Sequence, residues 1–190
     1  MAVREIIQIG HPVLRTPART VKPTELASFP MQQLIDDLID TMRNAGGAGI
    51  AATQVGEPVR ICTIEVDNNV RYPYKPPIAL TVLVNPEIEY LGDDTFPLNE
   101  GCLSVPLRGD IRRHLRIRVS ALDRSGTEVL REVAGLSAGT FQHEVDHLNG
   151  VLFIDRVEDS RTLATWPEFE RHAREVFVAE ITEFVKRIGS

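Results

Sequence analysis

The stretch FQHEVDHLNG, Phe141 to Gly150, sets two histidines around a glutamate in the order H-E-x-x-H. Read as a helix from about Leu136 to Asn149, stopped by Gly150, it brings His143 and His147 onto one face, one turn apart. Their Cβ atoms then lie ~5–6 Å apart, near enough for two imidazoles to converge on one ion. Glu144 is rotated ~100° from His143. That suits a general base beside an open coordination position better than a chelate partner. Alone, the pattern suggests a zinc peptidase, yet it also arises by chance as two helical histidines and an exposed glutamate.

Outward from this helix the period of the apolar residues changes twice. Upstream, Leu34, Ile35, Leu38, Ile39 and Met42 recur at helical spacing after Pro30, and Gly46-Gly47 end that helix. Val59–Val66 and Ala79–Tyr90 are β-branched runs that read as strands, with the Pro- and Tyr-rich loop DNNVRYPYKPP between them. LRIRVSAL and TEVLREV flank Asp123-Arg124-Ser125-Gly126, a hairpin turn. The arm IIQIGHPVLRTPA is short and broken by Pro12 and Pro17. A tail helix over about 167–188 presents Phe169, Ala173, Val176, Phe177, Ile181, Phe184 and Ile188 on one face, to be packed on the body. The expected fold class is α+β. One compact domain spans 1–190, with antiparallel β-sheets around a central H-E-x-x-H helix and further helices N-terminal and C-terminal to them.

Bulk properties agree with one soluble domain. The 190 residues are 43% hydrophobic, enough for a substantial core. A net charge of −6 argues against general nucleic-acid binding through a basic face. No apolar run approaches the ~20 residues that span a bilayer, and no signal-peptide core follows Met1, so a cytoplasmic location is expected. Cys62 and Cys102 cannot form a disulfide framework and are read as free thiols in a reducing compartment.

A third ligand decides what the histidines are for. A common peptidase places another histidine after H-E-x-x-H-x-x-G-x-x, but Phe153 stands there, and His172 reads as a surface residue of the tail. Upstream, Cys102 in EGCLSVP lies in a stretch that reads as flexible after the turn-rich LGDDTFPLNE. Its thiolate would complete a Cys-His-His set with one open position, the layout of a catalytic site; its alternative is a buried small hydrophobe, the reading given to Cys62. GAGIAATQVG loosely matches a dinucleotide fingerprint, with Glu65 downstream, but it follows a helix and leads into strand formers, so that reading is set aside.

The three stretches in this order resemble the peptide deformylase family, whose pattern is G-φ-G-φ-A-A-x-Q, E-G-C-φ-S and H-E-x-x-H, with φ apolar. They are Gly47-Ala48-Gly49-Ile50-Ala51-Ala52-Thr53-Gln54, Glu100-Gly101-Cys102-Leu103-Ser104 and His143-Glu144-Val145-Asp146-His147. The resemblance runs from about the first helix to GVLFIDRV. It implies that Cys102, His143 and His147 bind one divalent metal, Fe²⁺ in the cell, with Zn²⁺, Ni²⁺ or Co²⁺ accepted. Ligand softness does not choose among them. It implies that activated water attacks the formyl carbon of an N-formylmethionyl peptide, with Glu144 carrying the proton. The Gln54 amide and the Leu103 N–H would hold the oxyanion, each such donor being worth roughly 3 kcal/mol in other hydrolases. It further implies an Arg113–Glu100 pair fixing the cysteine loop, and Arg108 meeting the substrate backbone near Ala48 and Gly49. Gln142 and Asp146 are either supports or helix-surface groups.

Leu136, Gly139 and Thr140 are candidate linings of the methionine pocket. Many bacterial relatives carry a bulkier residue at the Gly139 position, and a helical Gly costs ~1 kcal/mol relative to Ala. Either the helix starts later or space is needed there, and the pocket's width turns on which. The partners implied are N-formylmethionyl peptides and the ribosome near the nascent-chain exit, with no nucleic-acid readout and no membrane. A metallopeptidase lacks its downstream ligand here, and a metal-stabilised binding module would close the coordination sphere with a fourth.

Overall fold

Apolar periodicity at 3.6 residues and a proline in the first turn produce the long N-terminal helix where expected. In the computed structural model, which describes residues 2–69 and 71–189, a short helix α1 (Pro23–Leu26) precedes α2 (Phe29–Asn44). Gly46, at φ +61, turns the chain out of α2 in the left-handed conformation that glycine adopts freely. Then follow β1 (Gly49–Ala51), a 3₁₀ turn over Ala52–Val55, β2 (Ile61–Val66) and β3 (Ile78–Tyr90). Next come β4 (Thr95–Gly101), β5 (Leu107–His114), β6 (Arg116–Leu122), β7 (Glu128–Ala134) and α3 (Gly135–Leu148). The chain closes with β8 (Ala164–Thr165), α4 (Trp166–His172) and α5 (Arg174–Ile188).

The strands form two antiparallel sheets. One has the order β1-β2-β3-β6-β7, the other β4-β5-β8. Helix α3 packs on β1, β2, β3, β6 and β7 of the first sheet and on β5 of the second. Every one of its residues except His143 is buried. An α+β domain built around the H-E-x-x-H helix is therefore what the chain forms. The β6–β7 hairpin turns at Asp123–Gly126, where Asp123 Oδ1 accepts from the Ser125 and Thr127 amides at 2.8 and 2.9 Å.

Three expectations are corrected. The stretch read as turn-rich around LGDDTFPLNE carries strand β4, and Leu107–His114, given no element in the sequence, forms β5, the two paired from Thr95↔His114 to Gly101↔Arg108. Their inward positions mix Phe96, Leu98 and Ile111 with Glu100, Arg108 and Arg113, so the apolar alternation that marks a half-buried strand is interrupted. Cys102 is accordingly buried at the end of β4, not in a flexible stretch. The tail is two helices, broken at Ala173 (φ −122, ψ −24). That break resets the helical phase: Phe169 and Ile181 are buried, whereas Ala173 and Val176 face solvent.

Candidate active site

Two backbone segments and one helix converge at the centre. The 3₁₀ turn after β1 projects Gln54 inward, and its Oε1 accepts from the Ala51 amide at 2.9 Å. The chain after β4 carries Cys102 to within 3.2 Å of His147 Nε2 on α3. The N-terminal arm ties both segments down: Ile7 N–H donates to Gln54 O at 2.9 Å and Ile9 N–H to Ser104 O at 2.8 Å.

The donor atoms of Cys102, His143 and His147 all lie within 4.8 Å of one another. Glu100 holds His143 Nδ1 at 2.7 Å, which leaves Nε2 as the atom free to ligate. His147 directs Nε2 at the thiol, while its buried Nδ1 has no partner among the described residues. One soft sulfur and two imidazole nitrogens suit a divalent transition metal and leave one of four tetrahedral positions open.

The electrostatics around these groups are set by burial and a chain of ion pairs. Arg113, fully buried, donates to both Glu100 oxygens at 2.8 and 2.9 Å and to Asp146 Oδ2 at 2.5 Å. Arg156 closes the chain on Asp146 at 2.5 and 2.6 Å. Burial opposes the Glu100 anion, but the Arg113 and His143 charges hold its carboxyl far below the usual range. For His143, burial works against protonation and the Glu100 charge outweighs it, so that ring is held well above its ordinary value. Burial and then the neighbouring His143 push His147 well below it, which favours the neutral ring. Gln142 is also buried; it bonds the His114 backbone through both ends of its amide, at 3.1 and 2.9 Å. Neither Gln142 nor Asp146 is therefore a helix-surface group: Gln142 ties α3 to β5, and Asp146 accepts from Arg113.

Glu144 faces the cleft against Gly49, where an added Cβ would collide with its carboxylate. Its Oε2 has no partner among the described residues, and burial pushes its pKa up to about 7. A carboxylate so poised takes and returns a proton near neutral pH. Gln54 Nε2 donates to Ser104 Oγ at 3.1 Å and lies 3.6 Å from Cys102 Sγ. The Leu103 N–H has no backbone acceptor among the described residues. Both residues line one cleft together with Cys102, His143 and Glu144.

The same cleft is lined by Ala48, Gly49, Arg108, Leu136, Gly139 and Thr140. Helix α3 does not start late to avoid Gly139; β4 approaches instead, and a Cβ there would stand 3.0 Å from Leu98 Cδ2. The space that the glycine leaves is filled by Leu98. Arg108 is buried, with Nε and Nη2 donating to Asn99 Oδ1 and O at 2.8 Å each. Its guanidinium lies 4.4 Å from the Trp166 ring centroid, whose ring also carries Arg71 at 3.9 Å. Sequence reasoning missed Tyr72, Tyr74 and Lys75, which the β2–β3 loop lays along this cleft. The aromatic and cationic residues packed between prolines in that loop were the available signal. Cys62 is a free, buried thiol pushed well up by burial, as its reading as a small hydrophobe expects.

A thiol and two imidazoles set to share an ion, with a buried carboxylate and amide donors around one cleft, define a metal-dependent amide hydrolase. Residues 3–162 match the family model for polypeptide deformylase. Peptide deformylase 2 of Nostoc sp. is 43% identical over 166 residues, 87% of this chain and 92% of that one. The peptide deformylase of Heliobacterium modesticaldum is 45% identical over 161 residues, 84% and 97% of the two chains. Among solved structures, the Met-Ala-Ser-bound class I type b peptide deformylase of Acinetobacter baumannii superposes with a TM-score of 0.79 at 38% identity. It covers 82% of this chain and 99% of its own. The Thermotoga maritima peptide deformylase gives 0.74 at 36% identity, covering 84% and 100%. The chain belongs to the peptide deformylase family: it is a metal-dependent hydrolase that removes the N-formyl group from N-formylmethionyl nascent polypeptides and releases formate.

Proposed function

We propose that Cys102, His143 and His147 hold the metal of this deformylase, Fe²⁺ in the cell with Zn²⁺, Ni²⁺ or Co²⁺ as working substitutes. The observation that carries this is the convergence of their donor atoms within 4.8 Å, with Glu100 fixing the far nitrogen of His143. When bound, such an ion supplies a Lewis acid that acidifies water in the open position.

The chain's own residues divide the rest of the work. Glu144 accepts a proton from the water that attacks the formyl carbon. Charge develops on the formyl oxygen as the water oxygen bonds to that carbon, and the Gln54 amide and Leu103 N–H receive it. Glu144 then gives its proton to the amine nitrogen as the C–N bond breaks, leaving formate and a free methionyl N-terminus. Ala48 and Gly49, at the open edge of the five-stranded sheet, meet the substrate backbone together with Arg108; Leu136, Gly139 and Thr140 line the recess for the first side chain.

The product-like peptide Met-Ala-Ser in the Acinetobacter structure makes its formylated form the natural probe. Glu144→Gln should keep its metal and lose most formate release from formyl-Met-Ala-Ser; unchanged turnover removes the assigned role. The ribosome near the nascent-chain exit is the proposed second partner. A reducing, cytoplasmic setting is supported by two free thiols, and among the described residues no helix is long and apolar enough to cross a membrane.

A further inference from the structure

The wall of the cleft between α3 and the β2–β3 loop is not apolar throughout. Leu98 and Leu136 form one part of it, and Thr140 and Lys75 form the other. Lys75 reaches across from the loop, and its ammonium donates to Thr140 Oγ1 at 2.9 Å. It lies 5.0 Å from the centroid of the Tyr72 ring. An ammonium has three N–H donors. The hydrogen bond to Thr140 uses one, and among the described residues no carboxylate pairs with Lys75. Burial lowers its pKa to about 8 against the opposing pull of the Glu100 and Glu144 carboxyls.

Resting on the reading of this wall as the recess for the first side chain, we propose that Lys75 with Thr140 is a specificity-determining pair for a neutral hydrogen-bond acceptor at the end of that side chain. The enzyme then deformylates peptides that begin with methionine S-oxide as well as those that begin with methionine. A thioether is only a weak acceptor, whereas the sulfoxide is polar and carries its oxygen on the same sulfur. The Leu98 and Leu136 contacts are therefore kept while the oxygen takes a donor from Lys75. Charge decides against a carboxylate in the same place: Glu100, held as an anion beside Arg113 and His143, lines the same cleft, and a second anion would face it.

The test is formate release from tripeptides formyl-X-Ala-Ser with X as methionine, methionine S-oxide, norleucine or glutamate. The wild-type kcat/KM for the S-oxide should lie within about ten-fold of that for norleucine and exceed that for glutamate. Lys75→Met should lower the S-oxide-to-norleucine ratio by about ten-fold or more, and Lys75→Arg should hold it. A wild-type enzyme that disfavours the S-oxide by more than about ten-fold relative to norleucine overturns the proposal without any variant. So does a ratio that Lys75→Met leaves unchanged. Leu136→Ala separates the two layers of the reading. If it leaves the norleucine rate unchanged, the recess is elsewhere and the proposal falls with it. If it lowers that rate while the ratio ignores Lys75, the proposal alone is wrong.

Discussion

Replacing Glu144 by glutamine separates what the carboxylate does from what its burial costs. Glu144 is 4% exposed, one of its oxygens lacks a partner among the described residues, and burial raises its pKa from 4.5 to about 7. Between those two values the folded, metal-free chain keeps a proton that the unfolded chain has released. More protons are bound folded than unfolded, so stability falls as pH rises through this window. The shift from 4.5 to about 7, at 1.36 kcal/mol per unit, corresponds to roughly 3 kcal/mol of stability that is fully present below pH ~4.5 and lost once the pH has risen past ~7. Glutamine does not ionise. Chelator-treated Glu144→Gln should therefore be more stable than chelator-treated wild type by up to ~3 kcal/mol at pH 8, with the two converging towards pH ~4.5. At ~2–4 °C per kcal/mol for a chain of this size, melting temperatures should separate visibly. Urea unfolding of both proteins across that range is the assay. Parallel stability curves would refute the idea that burial holds this carboxyl protonated near neutrality.

The other predictions concern the groups around it. Gly49→Ala drives a Cβ into the Glu144 carboxylate, so kcat for formate release should fall by about ten-fold or more at unchanged metal content. Gln54→Ala should lower kcat by ~10²–10³, with KM little altered, if the amide serves the oxyanion; equal losses in binding would point to a structural role instead. Arg113→Met leaves Glu100 and Asp146 buried without their shared partner and should cost about 3–5 kcal/mol in urea unfolding. A cost below ~1 kcal/mol would show that Arg156 and solvent replace it.

How much of this was legible in the sequence depends on how local each feature is. The spacing of His143 and His147 is a helical property, read directly and found on one buried helix. Cys102 lies 41 residues before His143 in the chain, and no spacing argument brings it there; only the resemblance did. Strands β4 and β5 were illegible because their inward faces carry Glu100, Arg108 and Arg113, whose burial is offset by ion pairs and ring contacts made elsewhere in the fold. The doubt about Gly139 was resolved by Leu98, a residue on a strand that the sequence did not reveal. Lys75 was invisible as a cleft residue for a related reason. Its partner Thr140 is 65 positions away, and only the way the β2–β3 loop lies along α3 joins them.

On the reading we propose, one ion held by Cys102, His143 and His147 gives this chain its deformylase activity. Anaerobic purification, metal analysis and formate release from formyl-Met-Ala-Ser on the same samples test it most directly. The wild-type chain should carry about one divalent ion, chiefly iron, lose formate release on chelation and regain it on reloading. His147→Ala should lose both the ion and the activity. A His147→Ala protein that binds the ion fully and turns over at the wild-type rate would contradict the account.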